Sequence, residues 1–196
     1  MNRRLSLFSV IVLLLLLGCD LFRTREPETP ETRQSTWVIP LDADQVLVNL
    51  QAAVYEHHLE NFMQCLVDPA YSERPYVFEP DPETASAYPG RFSGWSRESE
   101  NRVMQQAFSL VGEGGTASLR LTPEAQESPT PELTVWTGQY TLELDHATEG
   151  LPTVFQGHVI WSLAPDSRGY WSIFQWTDHA ASGEAGWSVL KAALGG

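Results

Sequence analysis

Apolar and polar residues alternate most regularly between Leu133 and Asp178, where the chain divides into three strand-length runs. The first, LTVWTGQYTLELDH, places Trp136, Tyr140, Leu142 and Leu144 on one face and Thr137, Gln139, Thr141, Glu143 and Asp145 on the other. A period of two predicts a sheet with one face buried and one wet. The second run, TVFQGHVIWSLAPD (Thr153 to Asp166), sets Phe155, Val159, Trp161 and Leu163 together and turns His158 the other way. The third, GYWSIFQWTD (Gly169 to Asp178), groups Phe174, Trp176 and Asp178. A shorter strand, ASLRLT (Ala117 to Thr122), precedes them, with a polar, proline-rich loop over Pro123 to Glu132.

Upstream the period lengthens. Val46, Leu47, Leu50, Ala53 and Val54 recur at helical spacing behind an N-cap at Asp42 or Asp44. Leu59, Phe62, Met63 and Leu66 resume the pattern out of phase, which predicts one bent helix or two helices meeting at His57-His58. Adjacent histidines on a helix project about 100° apart, a poor arrangement for holding one metal. Tyr76 and Phe78 mark a short strand, and Glu79, Asp81 and Glu83 lie among prolines in a solvated loop without the ligand spacing of a calcium site. A helix is expected from about Trp95 to Leu110, behind Ser93 or Ser96. Gly112, Gly114 and Gly115 then follow a helix and precede a strand, the reverse of a phosphate-binding loop, so they form a turn. Trp187, Val189, Leu190 and Leu194 close the chain as a short helical or irregular cover.

The first nineteen residues, MNRRLSLFSVIVLLLLLGC, carry a different signal. Arg3 and Arg4 precede an apolar run from Leu5 to Leu17, too short to cross a bilayer core of roughly 30 Å. This is the pattern of a secretory leader. Leu16-Leu17-Gly18-Cys19 resembles a bacterial lipobox, which implies acylation (palmitate among the acyl chains) at Cys19 and attachment of the mature chain to a membrane. Asp20 resembles, in enteric bacteria, the signal for retention in the inner membrane; inner or outer membrane stays open. The expected organisation is a signal peptide over 1–18, an acidic, proline-containing tether over 19–36 and one domain over 37–196. Cys65 falls in a helix and Cys19 at the end of the leader, so a disulfide framework is not expected; Cys65 reads as a small buried hydrophobe.

Charge narrows the partners. The formal net charge is −13. Removing the leader takes Arg3 and Arg4 with it, leaving ten basic against twenty-five acidic residues, or −15. Such a surface repels phosphate backbones, so nucleic-acid binding is not expected. There is no nucleotide loop, no metal motif and no cofactor signature in the sequence.

The order helix, helix, strand, helix and four strands resembles the nuclear transport factor two-like superfamily. The likeness rests on LVNLQAAVYEHHLENFMQCLVDP, on the helix beginning near Trp95 and on the closing strand GYWSIFQWTD. It implies an α+β fold in which N-terminal helices pack on a curved, mainly antiparallel sheet shaped like a cone. It also implies a comparison with ketosteroid isomerase and scytalone dehydratase, which work with Asp, His and Tyr groups inside the cone. In this chain Tyr140, Trp161, Trp176 and Asp178 are the candidate pocket residues. A lone acid without a base is not a catalytic pair. The expected function is therefore that of an envelope lipoprotein whose domain binds a small apolar ligand or a partner protein. The alternative is an isomerase or dehydratase using Asp178 with His158 or Tyr140. A homodimer through the face bearing Thr137, Gln139 and Thr141 is a third expectation.

Overall fold

A computed structural model of the chain describes residues 35–112 and 114–195. The leader, Cys19 and nearly all of the tether lie outside the described residues. Residues 34–196 form one compact unit, and the hydrophobic core of the described residues lies within it. No helix among the described residues is long and apolar enough to cross a membrane.

Two helices open the domain, α1 (Ala43–Tyr55) and α2 (Leu59–Gln64). The Asp42 carboxylate accepts the Gln45 N–H at 2.8 Å and starts α1; His58 Nδ1 accepts the Asn61 N–H at 3.2 Å and starts α2. Between them His57 takes a left-handed backbone conformation (φ 53°), which breaks the helix where the apolar pattern changes phase. Strand β1 (Val77–Glu79) follows.

The acidic, proline-rich stretch read as a loop contains a helix, α3 (Pro82–Ala87). Its start is chemically ordinary. Asp81 accepts the Thr84 N–H at 2.9 Å, and Pro82 sits in the first turn, where its missing N–H costs nothing. Reading acid and proline content as solvation hid an N-cap. Helix α4 (Arg97–Leu110) begins with a capping box between Ser96 and Ser99.

Strands β2 (Ala117–Thr130), β3 (Leu133–Leu144), β4 (Val154–Pro165) and β5 (Trp171–Ala180) form with β1 a curved five-stranded sheet in the order β1-β5-β4-β3-β2. All neighbours are antiparallel except β1 and β5. Two expectations fail here. Strand β2 does not end at Thr122 but continues through the segment read as a loop, with register irregularities at Pro123/Ala125 and Glu127/Thr130. Both faces of that extension are exposed, so no period of two marks it, and at the edge of a sheet Pro123 and Pro129 are tolerated. The second failure is Phe174. A bulge pairs Ser162 with Gln175 and then Leu163 with Ile173, so the alternation slips by one residue. Ile173 enters the core, and Phe174 lies under the Arg74 guanidinium instead of sharing a face with Trp176 and Asp178.

The inner face of the sheet carries a row of aromatic residues in direct register. Trp136 opposes Trp161, Trp161 opposes Trp176, and Trp176 opposes Phe78 across four strands. The first two pairs have ring centroids 5.2 Å apart, one stacked and one edge-on, arrangements worth about 0.5–1.5 kcal/mol each beyond burial. Gly138 makes this row possible. A Cβ there would stand 2.5 Å from Trp136 Cη2 and from the Thr122 carbonyl oxygen. The C-terminal helix α5 (Trp187–Leu194) closes over the row, with Trp187 edge-on to Trp176 at 5.1 Å.

Candidate functional site

Register and alternation bring Tyr140 and Asp178 together inside the cone. Tyr140 lies on β3 opposite Gly157 of β4, and Asp178 lies on β5 opposite Val159. Gly157 leaves room for the phenol: a Cβ there would stand 2.8 Å from Tyr140 Oη. The hydroxyl donates to Asp178 Oδ1 at 2.8 Å.

Helix α5 occupies the other side of this pair. The Trp187 N–H donates to Tyr140 Oη at 2.7 Å, and the Ser188 N–H and hydroxyl donate to Asp178 Oδ2 at 2.7 and 2.6 Å. The N-cap residue of α5 is Gly186, which has no side chain to satisfy the first amides. Asp178 reaches from β5 and does what an N-cap carboxylate would do, on the end of the helix that favours negative charge. Asp178 is fully buried, and burial raises its pKa above the ordinary carboxyl range, while Ser188 and Tyr140 pull the other way. Burial and the neighbouring carboxylate push the Tyr140 phenol up as well.

One turn along α5, Lys191 is also fully buried. Its ammonium donates to Glu100 Oε1 at 2.7 Å and sits 3.4 Å from the Phe78 ring centroid and 3.9 Å from that of Trp176. The same carboxylate oxygen accepts Tyr76 Oη at 2.8 Å and Trp95 Nε1 at 2.7 Å. Burial lowers the Lys191 pKa against the opposing pull of Glu100. Two polar clamps, one from β3 and β5 and one from α4, therefore fix α5 within the cone.

The four sequence-derived residues share this inner face but present no surface: Trp161, Trp176 and Asp178 are 0% exposed and Tyr140 2%. His158 stays apart from Asp178. It points to the outer face, where it bonds Glu124 Oε2 at 2.9 Å and lies across from His179. Cys65 is buried and its thiol pKa is pushed up by burial. Among the described residues no group of three His, Cys, Asp or Glu side chains is placed to hold a metal ion.

Glu100, Ser188 and Lys191 were missed from the sequence, although two left a trace. Glu100 sits on the apolar stripe of α4 with Val103, Met104 and Ala107. Lys191 is the sole cation in the apolar helix WSVLKAAL, four residues after Trp187 and so on the same face. A charge on an apolar stripe is the signal of a buried partner.

No family model and no curated protein matches the chain. Solved structures do. A conserved protein from Planctomyces limnophilus is 12% identical and superimposes with a TM-score of 0.54 over 70% of this chain and 92% of its own. A candidate scytalone dehydratase from Novosphingobium aromaticivorans is 9% identical, with a TM-score of 0.53 over 70% of this chain and 80% of its own. A nuclear transport factor 2 (NTF2-like) superfamily protein from Salmonella enterica is 10% identical, with a TM-score of 0.49 over 71% and 89%. At such identities a likeness speaks for fold and not for activity. The domain has an α+β cone fold, which it shares with the structures from Planctomyces limnophilus and Novosphingobium aromaticivorans.

Proposed function

We propose that this chain is a lipid-anchored envelope protein whose domain works by binding, a small apolar ligand or a partner protein, and not by catalysis. Acyl chains on Cys19 hold it to the membrane, and the acidic tether over 19–36 lifts the domain clear of the surface. The observation that carries the binding reading is the engagement of Tyr140 and Asp178 by the first turn of α5. Groups that hold a helix in place are not available to a substrate. The outer face of the sheet, with Thr137, Gln139 and Thr141, is the surface a second copy would use.

One observation favours an isomerase- or dehydratase-type enzyme as a second reading: a carboxyl with a raised pKa stands beside a phenol among tryptophans. That reading requires α5 to leave the cone before substrate enters. Labelling with radioactive palmitate tests the anchor. Wild-type chain should carry label and sediment with membranes, and Cys19→Ser should lose both; label retained on Cys19→Ser would end the anchoring proposal. Asp178→Asn separates binding from catalysis, because an enzyme built on this acid would lose turnover of a cone-sized substrate while a binding protein has none to lose.

A further inference from the structure

A concavity of about 510 Å³ lies apart from the four cone residues, between the N-terminal segment, α2, the start of α4 and the start of β5. Its volume falls in the range of small-molecule sites. Trp37 and Trp171 line it, with Met63, Gln64 and Arg97. The walls are held firmly. The Trp171 N–H donates to the Pro40 carbonyl at 2.8 Å, and Asn49 clips the segment from α1, accepting the Val38 N–H at 3.2 Å and donating to its carbonyl at 2.6 Å. Arg97 Nη2 donates to the Met63 carbonyl at 2.9 Å, which fixes the guanidinium across the gap between α4 and α2.

Arg97 is the unusual member. Its Nε–H is buried out of a ligand's reach, its one hydrogen bond among the described residues is the Nη2 donation to Met63, and among them it forms no ion pair, so the outer edge of the guanidinium is the part left to face the groove. The other arginine of the lining, Arg168, is committed elsewhere: Asp166 holds it at 3.0 and 2.7 Å, and its guanidinium stacks 3.5 Å from the Tyr71 ring centroid. Glu60 and Asp68 also line the groove, so the field inside is not strongly positive. The ligand's polar group is then set by donor geometry and not by bulk charge. Two indoles suit a flat apolar body, and a fixed guanidinium suits an acceptor oxygen.

We propose that this groove binds a flat apolar ring bearing an acceptor oxygen, a carbonyl or a carboxylate, with Trp37 and Trp171 against the ring and Arg97 donating to the oxygen. The proposal rests on the binding reading above and gives it a place and a chemistry.

The test titrates 2-naphthamide, 2-naphthoate and 2-methylnaphthalene onto the full chain, followed by the indole N–H signals of its tryptophans. Saturable binding of the amide, the carboxylate or both, with shifts at Trp37 and Trp171 and weaker binding of the hydrocarbon, is expected. Tighter amide binding would identify a neutral carbonyl ligand and tighter naphthoate binding a carboxylate. Arg97→Gln should weaken the oxygen-bearing probes about tenfold or more and leave 2-methylnaphthalene unchanged. Shifts confined to other tryptophans, no saturable binding of either oxygen-bearing probe, or equal affinity in Arg97→Gln would overturn the site. If Arg97→Gln fails to fold, the mapping on the unaltered chain decides alone. Loss of the groove would leave the reading of α5 intact, because that stands on hydrogen exchange and not on these probes.

Discussion

Lys191→Met is the most informative single substitution, because it removes one charge from a fully buried pair and keeps most of the side-chain volume. In the wild-type domain Glu100 Oε1 accepts three donors, from Lys191, Tyr76 and Trp95, at 2.7, 2.8 and 2.7 Å. Both charged residues are 0% exposed. Removing the ammonium leaves a carboxylate with two neutral donors and no counter-charge, away from water. Breaking a buried pair in this way costs about 3–5 kcal/mol. For a domain of this size that is a fall in Tm of roughly 6–20 °C. The double variant Glu100→Gln/Lys191→Met removes both charges and should recover to within roughly 1–2 kcal/mol of wild type, since a buried pair contributes little net stability over a neutral filling of the same volume. Urea unfolding of wild type, Lys191→Met, Glu100→Gln and the double variant closes the cycle. A loss below about 1 kcal/mol for Lys191→Met, or no recovery in the double variant, would refute the claim that α5 is clamped into the cone by this pair.

Two further outcomes follow from the other clamp. Tyr140→Phe removes the donor to Asp178 and leaves the buried Trp187 N–H without an acceptor, and should cost about 1–3 kcal/mol in the same urea assay; an unchanged midpoint would contradict the contact. The raised pKa of Asp178 sets a pH dependence. A group whose folded pKa lies above its unfolded value adds stability that is complete below the unfolded pKa and is lost as pH rises through the folded one. The stability of wild type relative to Asp178→Asn should therefore grow as pH falls from 7 toward about 4, the ordinary carboxyl range. Glu98 and Glu143, whose pKa values are lowered, act in the opposite direction but equally in both proteins, so the difference isolates Asp178. A flat or reversed difference would contradict the assignment.

Much of this architecture was legible because it rests on strict periods. The two-residue alternation of β3 and β4 placed Trp136, Tyr140 and Trp161 inward and His158 outward, and the phase change at His57-His58 marked a real break between helices. What was not legible has particular causes. The far half of β2 has both faces in water, so no apolar period marks it. The bulge at Phe174 changes the parity of a strand without leaving a mark in composition. The start of α3 was hidden because Asp81 and Pro82 read as solvation and turn instead of cap and first turn. Tyr140 and Asp178 could be assigned to one face, but not their occupation by Trp187 and Ser188, because the pairing of β5 with α5 across a glycine-rich turn is tertiary. Lys191 and Glu100 lie 91 positions apart, and only three-dimensional packing joins them.

Native-state hydrogen exchange along α5 tests the central claim most directly. If the helix fills the cone, the amides of Trp187 and Ser188, which donate to Tyr140 and Asp178, and the helical amides of Lys191 and Ala192 should exchange only through global unfolding, with the same protection as the core of β4. If they exchange through a local opening several kcal/mol below the global value, α5 is a cover that lifts, the cone is open for part of the time, and the catalytic reading of Asp178 gains the ground that the binding reading loses.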